Sequence, residues 1–120
     1  MIKTTEKDRR LQGLGYTPAY FITCMEKNGT MKDKHGFDDL GSMRTFGFYY
    51  DLKDAREALN VNNCDMHEAL YDYAIIEKMY PGIHPLCYDE GDFEWYKYDH
   101  ERQGFFIDNE LFSSGNFALG

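Results

Sequence analysis

Large apolar side chains recur at every second position in the middle of the chain. Between Arg44 and Tyr50, aromatic residues occupy the alternate positions. Successive side chains of a β-strand point to opposite faces of the sheet. The pattern therefore predicts a strand that places Phe46 and Phe48 in a core.

The apolar period changes to that of a helix directly after this strand. Leu52, Ala55 and Leu59 recur at spacings of three and four residues, so they form one apolar stripe. Asp51 precedes the stripe and is the predicted N-cap of the helix. Asp54 lies three residues after Asp51, at the third helical position, as in a capping box. An Asn-rich stretch after residue 59 ends the predicted helix.

Three other regions carry the β-branched and aromatic residues that favour strands. They are Ala19–Met25, residues 70–77, and a hairpin formed by Glu94–Asp99 and Phe105–Asp108. Asn28 and Gly29 predict a turn after the first of these strands. Residues 32–41 are polar and contain two glycines, which predicts a loop.

Residues 65–80 fit two different structures. A run of apolar residues has helical spacing, namely Met66, Ala69, Leu70 and Tyr73. Tyr71–Glu77 instead has the composition of a strand. We favour a short turn at 65–69 followed by a strand.

The order of elements indicates the fold class. Residues 1–18 are mostly polar and show no sustained apolar period, which predicts a flexible N-terminal arm. Residues 19–120 then form a single domain with the element order ββαβββ. This order predicts a two-layer α+β fold, in which one main helix packs on a face of a small, mostly antiparallel sheet.

Length and composition narrow the class of protein. A chain of 120 residues with 42% hydrophobic and 17% aromatic residues can bury one core without disulfide cross-links. Its three cysteines form no disulfide framework, because their number is odd and their spacing is wide. The polar first ten residues lack a signal peptide, and no apolar run reaches the length of a membrane span. These features predict a location in the bacterial cytoplasm.

The charge of the chain is strongly negative and unevenly distributed. The net charge is −8, and residues 89–110 hold eight acids against two bases, so this segment alone carries −6. Such a chain is repelled by phosphate backbones and by anionic membranes. We therefore expect neither direct nucleic-acid binding nor membrane binding.

Several motifs resemble those of one group of proteins. The run from Arg44 through residue 66, the segment from Tyr71 through residue 85, and Glu94–Asp99 together resemble small uncharacterised proteins encoded by phages and prophages of gut Firmicutes. The resemblance covers roughly residues 19–120 and rests on fold-determining positions, with no catalytic signature. It implies an accessory gene, of the kind that often encodes an inhibitor of host defence or a protein that sequesters a host signal.

Motifs for metal binding and catalysis are weak. Cys64 and His67 form one half of a zinc motif, and His84 and Cys87 form the other. The element between them holds the halves about 20 Å apart, whether it is a strand or a helix. Cys64, His67 and Glu68 could form a Cys–His–acid site, but residues on a single turn seldom converge. We therefore expect no metal or other cofactor, and the chain is more typical of a binding protein than of an enzyme.

Two binding hypotheses follow from the aromatic and charged residues. In the first, the hairpin presents an acidic, Tyr-rich surface to a host protein with a basic surface. The predicted contact residues are Glu94, Tyr96, Tyr98, Asp99 and Glu101, with Trp95 buried on the opposite side of the strand.

In the second hypothesis, the chain sequesters a small nucleotide signal. Tyr49 and Trp95 would hold the base, and Arg44 or Arg56 would bind a phosphate. An ordinary ion pair at the sheet edge remains the simpler interpretation of either arginine. A small enzyme of unknown chemistry is the third alternative, and an exposed sheet edge also permits a homo-oligomer.

Overall fold

The computed structural model describes residues 1–32, 38–61, 71–82 and 90–108. Within these ranges the chain forms two helices, five strands and a short 3-10 turn at Glu90–Asp92. The helices are α1 (Glu6–Gly13) and α2 (Leu52–Asn60). The strands are β1 (Ala19–Lys32), β2 (Asp38–Tyr49), β3 (Tyr73–Met79), β4 (Phe93–Asp99) and β5 (Gly104–Ile107).

The five strands form one antiparallel sheet in the order β2-β1-β3-β4-β5. Helix α2 joins β2 to β3 and contacts β1, β2 and β5, so it lies across one face of the sheet. The predicted two-layer α+β fold is confirmed. The ββαβββ order is also present, and α1 precedes it.

The main core lies between the sheet and α2. The Asp51 carboxylate begins the helix by accepting a hydrogen bond from the Lys53 backbone N–H at 2.9 Å, so the predicted N-cap is confirmed. Helix α2 then buries Ala55, Ala58 and Leu59, which have the spacing of one helical face. These side chains pack against alternate residues of the central strands.

A second apolar cluster lies on the opposite face of the sheet. It consists of Met25, Tyr73, Ile75, Phe93 and Trp95. Consecutive residues of β3 therefore belong to different clusters, which explains why residues 73–76 form a continuous apolar run without clear alternation. A strand is confirmed in the region predicted at 70–77, although it spans Tyr73–Met79, and the prediction of a buried Trp95 is also confirmed.

Strands β1 and β2 are longer than predicted. Strand β1 continues through the predicted turn at Asn28 and Gly29, and β2 begins at Asp38, inside the predicted loop. Lys27 pairs with Leu40 and Lys32 with Asp38, across two irregularities of register. Strand pairing therefore overrides the local turn signal, and the predictions of a turn at 27–29 and a loop throughout 32–41 are wrong.

A bulge in β2 changes which aromatic residues are buried. Ile22 pairs with Gly47 while Thr23 pairs with Thr45, so Phe46 is an extra residue in β2. Phe46 packs towards the α2 side, whereas Phe48 contacts Phe21 and is 48% exposed. The prediction that Phe48 lies in the core is wrong because the bulge interrupts the two-residue period.

The N-terminal segment is docked on the domain. Thr5 and Asp8 form a reciprocal capping box at the start of α1. Ile2 belongs to the α2-side core, and the Lys3 backbone N–H donates to the Gly91 carbonyl at 3.0 Å. The expected flexible arm at 1–18 is thus corrected: polar contacts attach this segment to the domain, and such contacts leave no apolar period in the sequence.

The predicted hairpin is confirmed as β4 and β5, joined by a turn at 100–103. The predicted turn at 65–69 and residues 109–120 lie outside the described residues. Among the residues that the structure describes, no helix has both the length and the apolar character needed to cross a membrane.

Candidate functional site

A concave surface lies between α2 and β5, and we call it the α2–β5 groove. Its volume is about 630 Å³. Buried Leu59, Tyr96 and Phe105 form its floor. The other lining residues are Met1, Lys53, Arg56, Glu57, Asn60, Val61, Phe106 and Ile107.

The rim of the groove is unusually apolar. Nine large apolar side chains are exposed among the described residues, and four of them line this one groove. Their exposed fractions are 62% for Met1, 61% for Val61, 37% for Phe106 and 42% for Ile107. Contiguous apolar surface of this kind is typical of a site that another molecule covers.

A partly buried ion pair lies beneath the groove. Arg56 projects from α2 and donates from Nε and Nη2 to the two carboxylate oxygens of Glu94, at 2.9 and 2.6 Å. The Tyr96 hydroxyl and the Ile2 backbone N–H also donate to Glu94, which is 0% exposed. Four donors therefore satisfy this carboxylate and fix the orientation of the Arg56 guanidinium.

These contacts keep both partners charged. Burial alone would raise the pKa of Glu94, but the hydrogen bonds from Arg56, Tyr96 and Ile2 lower it below its ordinary value. The hydrogen bond to Glu94 raises the pKa of Arg56, and burial beside this carboxylate raises that of Tyr96. None of the three groups changes charge near neutral pH, so the cluster is suited to positioning and binding rather than to proton transfer.

The free end of the β4–β5 hairpin forms a second, more polar surface. Asp99 accepts hydrogen bonds from the backbone N–H groups of Glu101 and Arg102, which shapes the turn. Its other oxygen accepts from Arg102 Nε at 2.8 Å, and the Arg102 guanidinium lies 3.6 Å from the centre of the Phe106 ring. A shallow hollow of about 410 Å³ runs along this end, between Lys97 and Asp108.

A buried polar cluster attaches the N-terminal segment to the sheet, and we call it the N-terminal ionic cluster. Lys78 Nζ donates to Asp8 Oδ2 at 2.5 Å and lies 3.4 Å from Asp92 Oδ1. Lys7 pairs with Asp92, and the Tyr80 hydroxyl donates to Asp8 at 2.6 Å. Asp8, Lys78 and Asp92 are all buried, so the cluster is part of the packing.

The environment of Asp8 depends on this cluster. Burial raises its pKa, but the hydrogen bonds from Lys78, Tyr80 and Thr5 outweigh that effect and lower it to about 2. Burial and the hydrogen bond to Asp8 raise the pKa of Tyr80 to about 12. Asp8 is therefore ionised and Tyr80 neutral across the physiological range.

The predicted partner-binding residues divide into two groups. Glu94 and Tyr96 are 0% and 9% exposed, so the expectation that they form an exposed face is corrected. They share one side of β4 with Tyr98, as predicted, but α2 covers that side near the start of the strand. Tyr98 and Asp99 are half-buried and Glu101 is exposed, all near the free end of the hairpin.

The acidic segment also has a different role from the one expected. Asp92 and Glu94, two of its eight acids, are buried and paired with bases outside the segment, namely Lys7, Lys78 and Arg56. A count of charge along residues 89–110 cannot detect these partners. The negative surface is consequently smaller than the sequence indicates.

The residues predicted to hold a nucleotide do not form one site. Arg44 lies 4.4 Å from the centre of the Phe46 ring, and Tyr49 packs on the α2 side. Arg56 lines the α2–β5 groove, whereas Trp95 is buried on the opposite face of the sheet. The expectation that these side chains converge on one ligand is therefore corrected.

Cysteine and metal chemistry receive no support from the described part of the chain. The two Cys/His pairs, and the Cys64–His67–Glu68 combination, lie outside the described residues. No cluster of three or more His, Cys, Asp or Glu residues that could hold a metal occurs within them. Cys24 is buried, which raises the pKa of its thiol to about 12 and makes it unsuitable as a nucleophile.

Sequence reasoning missed the α2–β5 groove. Met1, Val61 and Ile107 carry no motif, and they meet only because α2 crosses the sheet towards β5. The spacing of Thr5 and Asp8 is a visible capping signal, but Lys78 and Asp92, which bind the N-terminal segment, are distant from it in sequence.

Comparison with protein-family models, with curated proteins and with solved structures finds no match to this chain.

Proposed function

We propose that this protein is a binding protein that inhibits another protein, and that the α2–β5 groove is the centre of its interface. One observation carries the proposal: four of the nine exposed large apolar side chains in the described part line this single groove. An apolar centre surrounded by polar residues is the usual anatomy of a protein interface.

The neighbouring hairpin end supplies the polar rim of this interface. Glu101 is exposed there, and Asp108 is half-buried at the end of β5. Together with the net charge of −8, these carboxylates attract a partner with a basic surface and speed its association. This surface retains Tyr98, Asp99 and Glu101 from the predicted set and keeps Tyr96 as part of the groove floor. Val61, Phe106 and Ile107 take the place of the buried Glu94.

The resemblance to phage and prophage proteins supplies the proposed context. We place the protein in the cytoplasm of a bacterial host, where its target is a host defence protein. In this proposal the chain acts by occupying its target, and no chemical step is assigned to it.

Capture from a lysate of gut Firmicutes tests the proposal. The parent chain, an Ile107→Asp variant and a Val61→Asp variant are immobilised in parallel, together with Leu14→Asp as the control. Leu14 is 70% exposed but lies after α1 and does not line the groove. All four chains are first shown to have the same unfolding midpoint.

The expected result is one host protein that the parent and Leu14→Asp retain and that both groove variants lose. Retention of the same protein by all four chains would show that the groove is not the interface. Native mass spectrometry of the purified chain gives a second check, because a co-purified nucleotide in place of a protein would contradict inhibition by protein binding.

A further inference from the structure

We propose that the α2–β5 groove binds an apolar segment of the partner protein through a carboxylate, which is held by Arg56 and Lys53. This inference rests on the proposed function and names the chemistry of the segment that enters the groove. It concerns the two cationic side chains that line the groove, which the negative net charge of the chain does not indicate.

The geometry of Arg56 leaves one edge of its guanidinium for a ligand. Glu94 occupies the edge formed by Nε and Nη2, with distances of 2.9 and 2.6 Å. A guanidinium has five N–H donors in a fixed plane. Within the described part of the chain, Arg56 interacts with Glu94 and the neighbouring Tyr96 hydroxyl, so the edge formed by Nη1 and the second Nη2 hydrogen can still receive a carboxylate. The Arg56 side chain is 37% exposed, and it lines the groove.

Glu94 also reduces the entropy that Arg56 loses when it binds a ligand. An exposed arginine loses rotamer entropy when it binds an anion. Here the buried carboxylate, which the Tyr96 hydroxyl and the Ile2 N–H also hold, already fixes the side chain. Arg56 is therefore oriented before a ligand arrives.

Lys53 adds a second cation to the same site. It lies three residues before Arg56 on α2, a spacing that places both side chains on one side of the helix, and both line the groove. Glu57 is the acidic residue of the lining. Glu94 balances the charge of Arg56, so the site favours an incoming carboxylate through the remaining N–H donors of Arg56 and the ammonium group of Lys53 rather than through net charge. In this respect it differs from the acidic hairpin end.

The shape of the groove favours a polypeptide segment over a small enclosed ligand. Sites for small molecules usually bury most of the ligand surface. In this groove the rim residues Met1 and Val61 are themselves more than half exposed, so the apolar surface continues outwards from the floor. A segment with apolar side chains beside one acidic residue matches both the surface and the cations.

Nuclear magnetic resonance of the full chain with three capped peptides tests this inference. The peptides have the sequences Leu-Phe-Asp-Leu, Leu-Phe-Asn-Leu and Leu-Phe-Lys-Leu and differ only at the third position. We expect the Asp peptide to shift the backbone amide signals of α2 and β5 and to bind about tenfold more tightly than the Asn peptide, as charge-assisted hydrogen bonds do. The Lys peptide should bind most weakly.

Two variants and one control locate the effect. Lys53→Gln changes an exposed residue and should reduce the preference for Asp over Asn while the fold is retained. Arg56→Lys keeps the charge but loses the planar fork, so the preference should fall further. Lys27→Gln removes an exposed lysine of β1 that does not line the groove and should leave the preference unchanged.

Three outcomes would overturn the inference. They are equal binding of the Asp and Asn peptides, an Asp preference that survives in Lys53→Gln and Arg56→Lys alike, and peptide-induced shifts confined to residues outside the groove. None of them contradicts the proposed function if the captured host protein still depends on Val61 and Ile107. Loss of that dependence is the separate result that contradicts the proposed function.

Discussion

The two ends of strand β4 use their acidic residues in opposite ways. At the beginning, Asp92 and Glu94 are buried and bind cations from β3, α1 and α2. At the end, Asp99 binds Arg102 within the same turn, and Glu101 is exposed. Acids of the first kind hold the segments of the fold together, whereas acids of the second kind remain accessible to a partner.

The largest effect is expected at the beginning of β4. Replacing Lys78 with Met leaves Asp8 and Asp92 buried without their shared cation, and breaking a buried pair in this way costs about 3–5 kcal/mol. We expect a fall of this size in the free energy of unfolding, measured by urea denaturation. A loss below about 1 kcal/mol would mean that the cluster behaves as an exposed ion pair.

The pH dependence of stability gives the next largest effect. Asp8 has a folded pKa of about 2, compared with 3.8 for the ordinary carboxyl group, so the folded state favours its ionised form. This contribution is complete above about pH 4 and is lost as the pH falls towards 2, with a size of roughly 2 kcal/mol. Asp8→Asn should flatten the stability profile in that window. An identical profile in parent and variant would exclude Asp8 as the cause.

A smaller effect is expected for Glu94→Gln. The amide retains the shape but not the charge, and the Arg56 side chain is exposed enough for water to replace part of the lost interaction. We expect a loss of about 1–2 kcal/mol in the free energy of unfolding. The peptide measurement should also show a weaker Asp preference, because Arg56 is no longer held in place. An unchanged preference would show that Glu94 does not orient Arg56.

The sequence predicted the elements whose signals are local. Asp51 with the stripe of Leu52, Ala55 and Leu59 identified α2, and the composition of residues 70–77 identified β3. These signals suffice because each element buries one face or lies between two apolar layers. The fold class followed from the order of these elements.

The errors arose where distant residues determine the structure. The bulge at Phe46 depends on pairing with Ile22 and Thr23, so the local period alone misplaced Phe48. The docking of residues 1–18 depends on Lys78 and Asp92, which no apolar period reveals. The predicted contact residues lie on a hairpin that the structure contains, but Glu94 and Tyr96 were assigned to a surface because their partners on α2 and in the N-terminal segment are remote in sequence.

The smallest effect on stability is expected at the free end of the hairpin. Glu101→Lys should leave the unfolding midpoint unchanged, because Glu101 is exposed. Its effect should appear in association with the captured partner, which should become slower and less dependent on salt concentration. Stopped-flow measurements of the association rate at two ionic strengths provide the check. The control is Lys27→Gln, which changes the net charge in the opposite direction at a site away from the hairpin. Equal association rates for the parent chain and Glu101→Lys would show that the hairpin end is not part of the interface.

Isothermal titration of the purified partner into the parent chain and into Ile107→Asp tests the central claim most directly. Ile107 is exposed on the groove rim, so the variant should keep the parent's unfolding midpoint. We expect its affinity for the partner to fall by at least about tenfold, as for a residue at the centre of an interface. Equal affinities for the two chains would contradict the assignment of the α2–β5 groove as the binding surface.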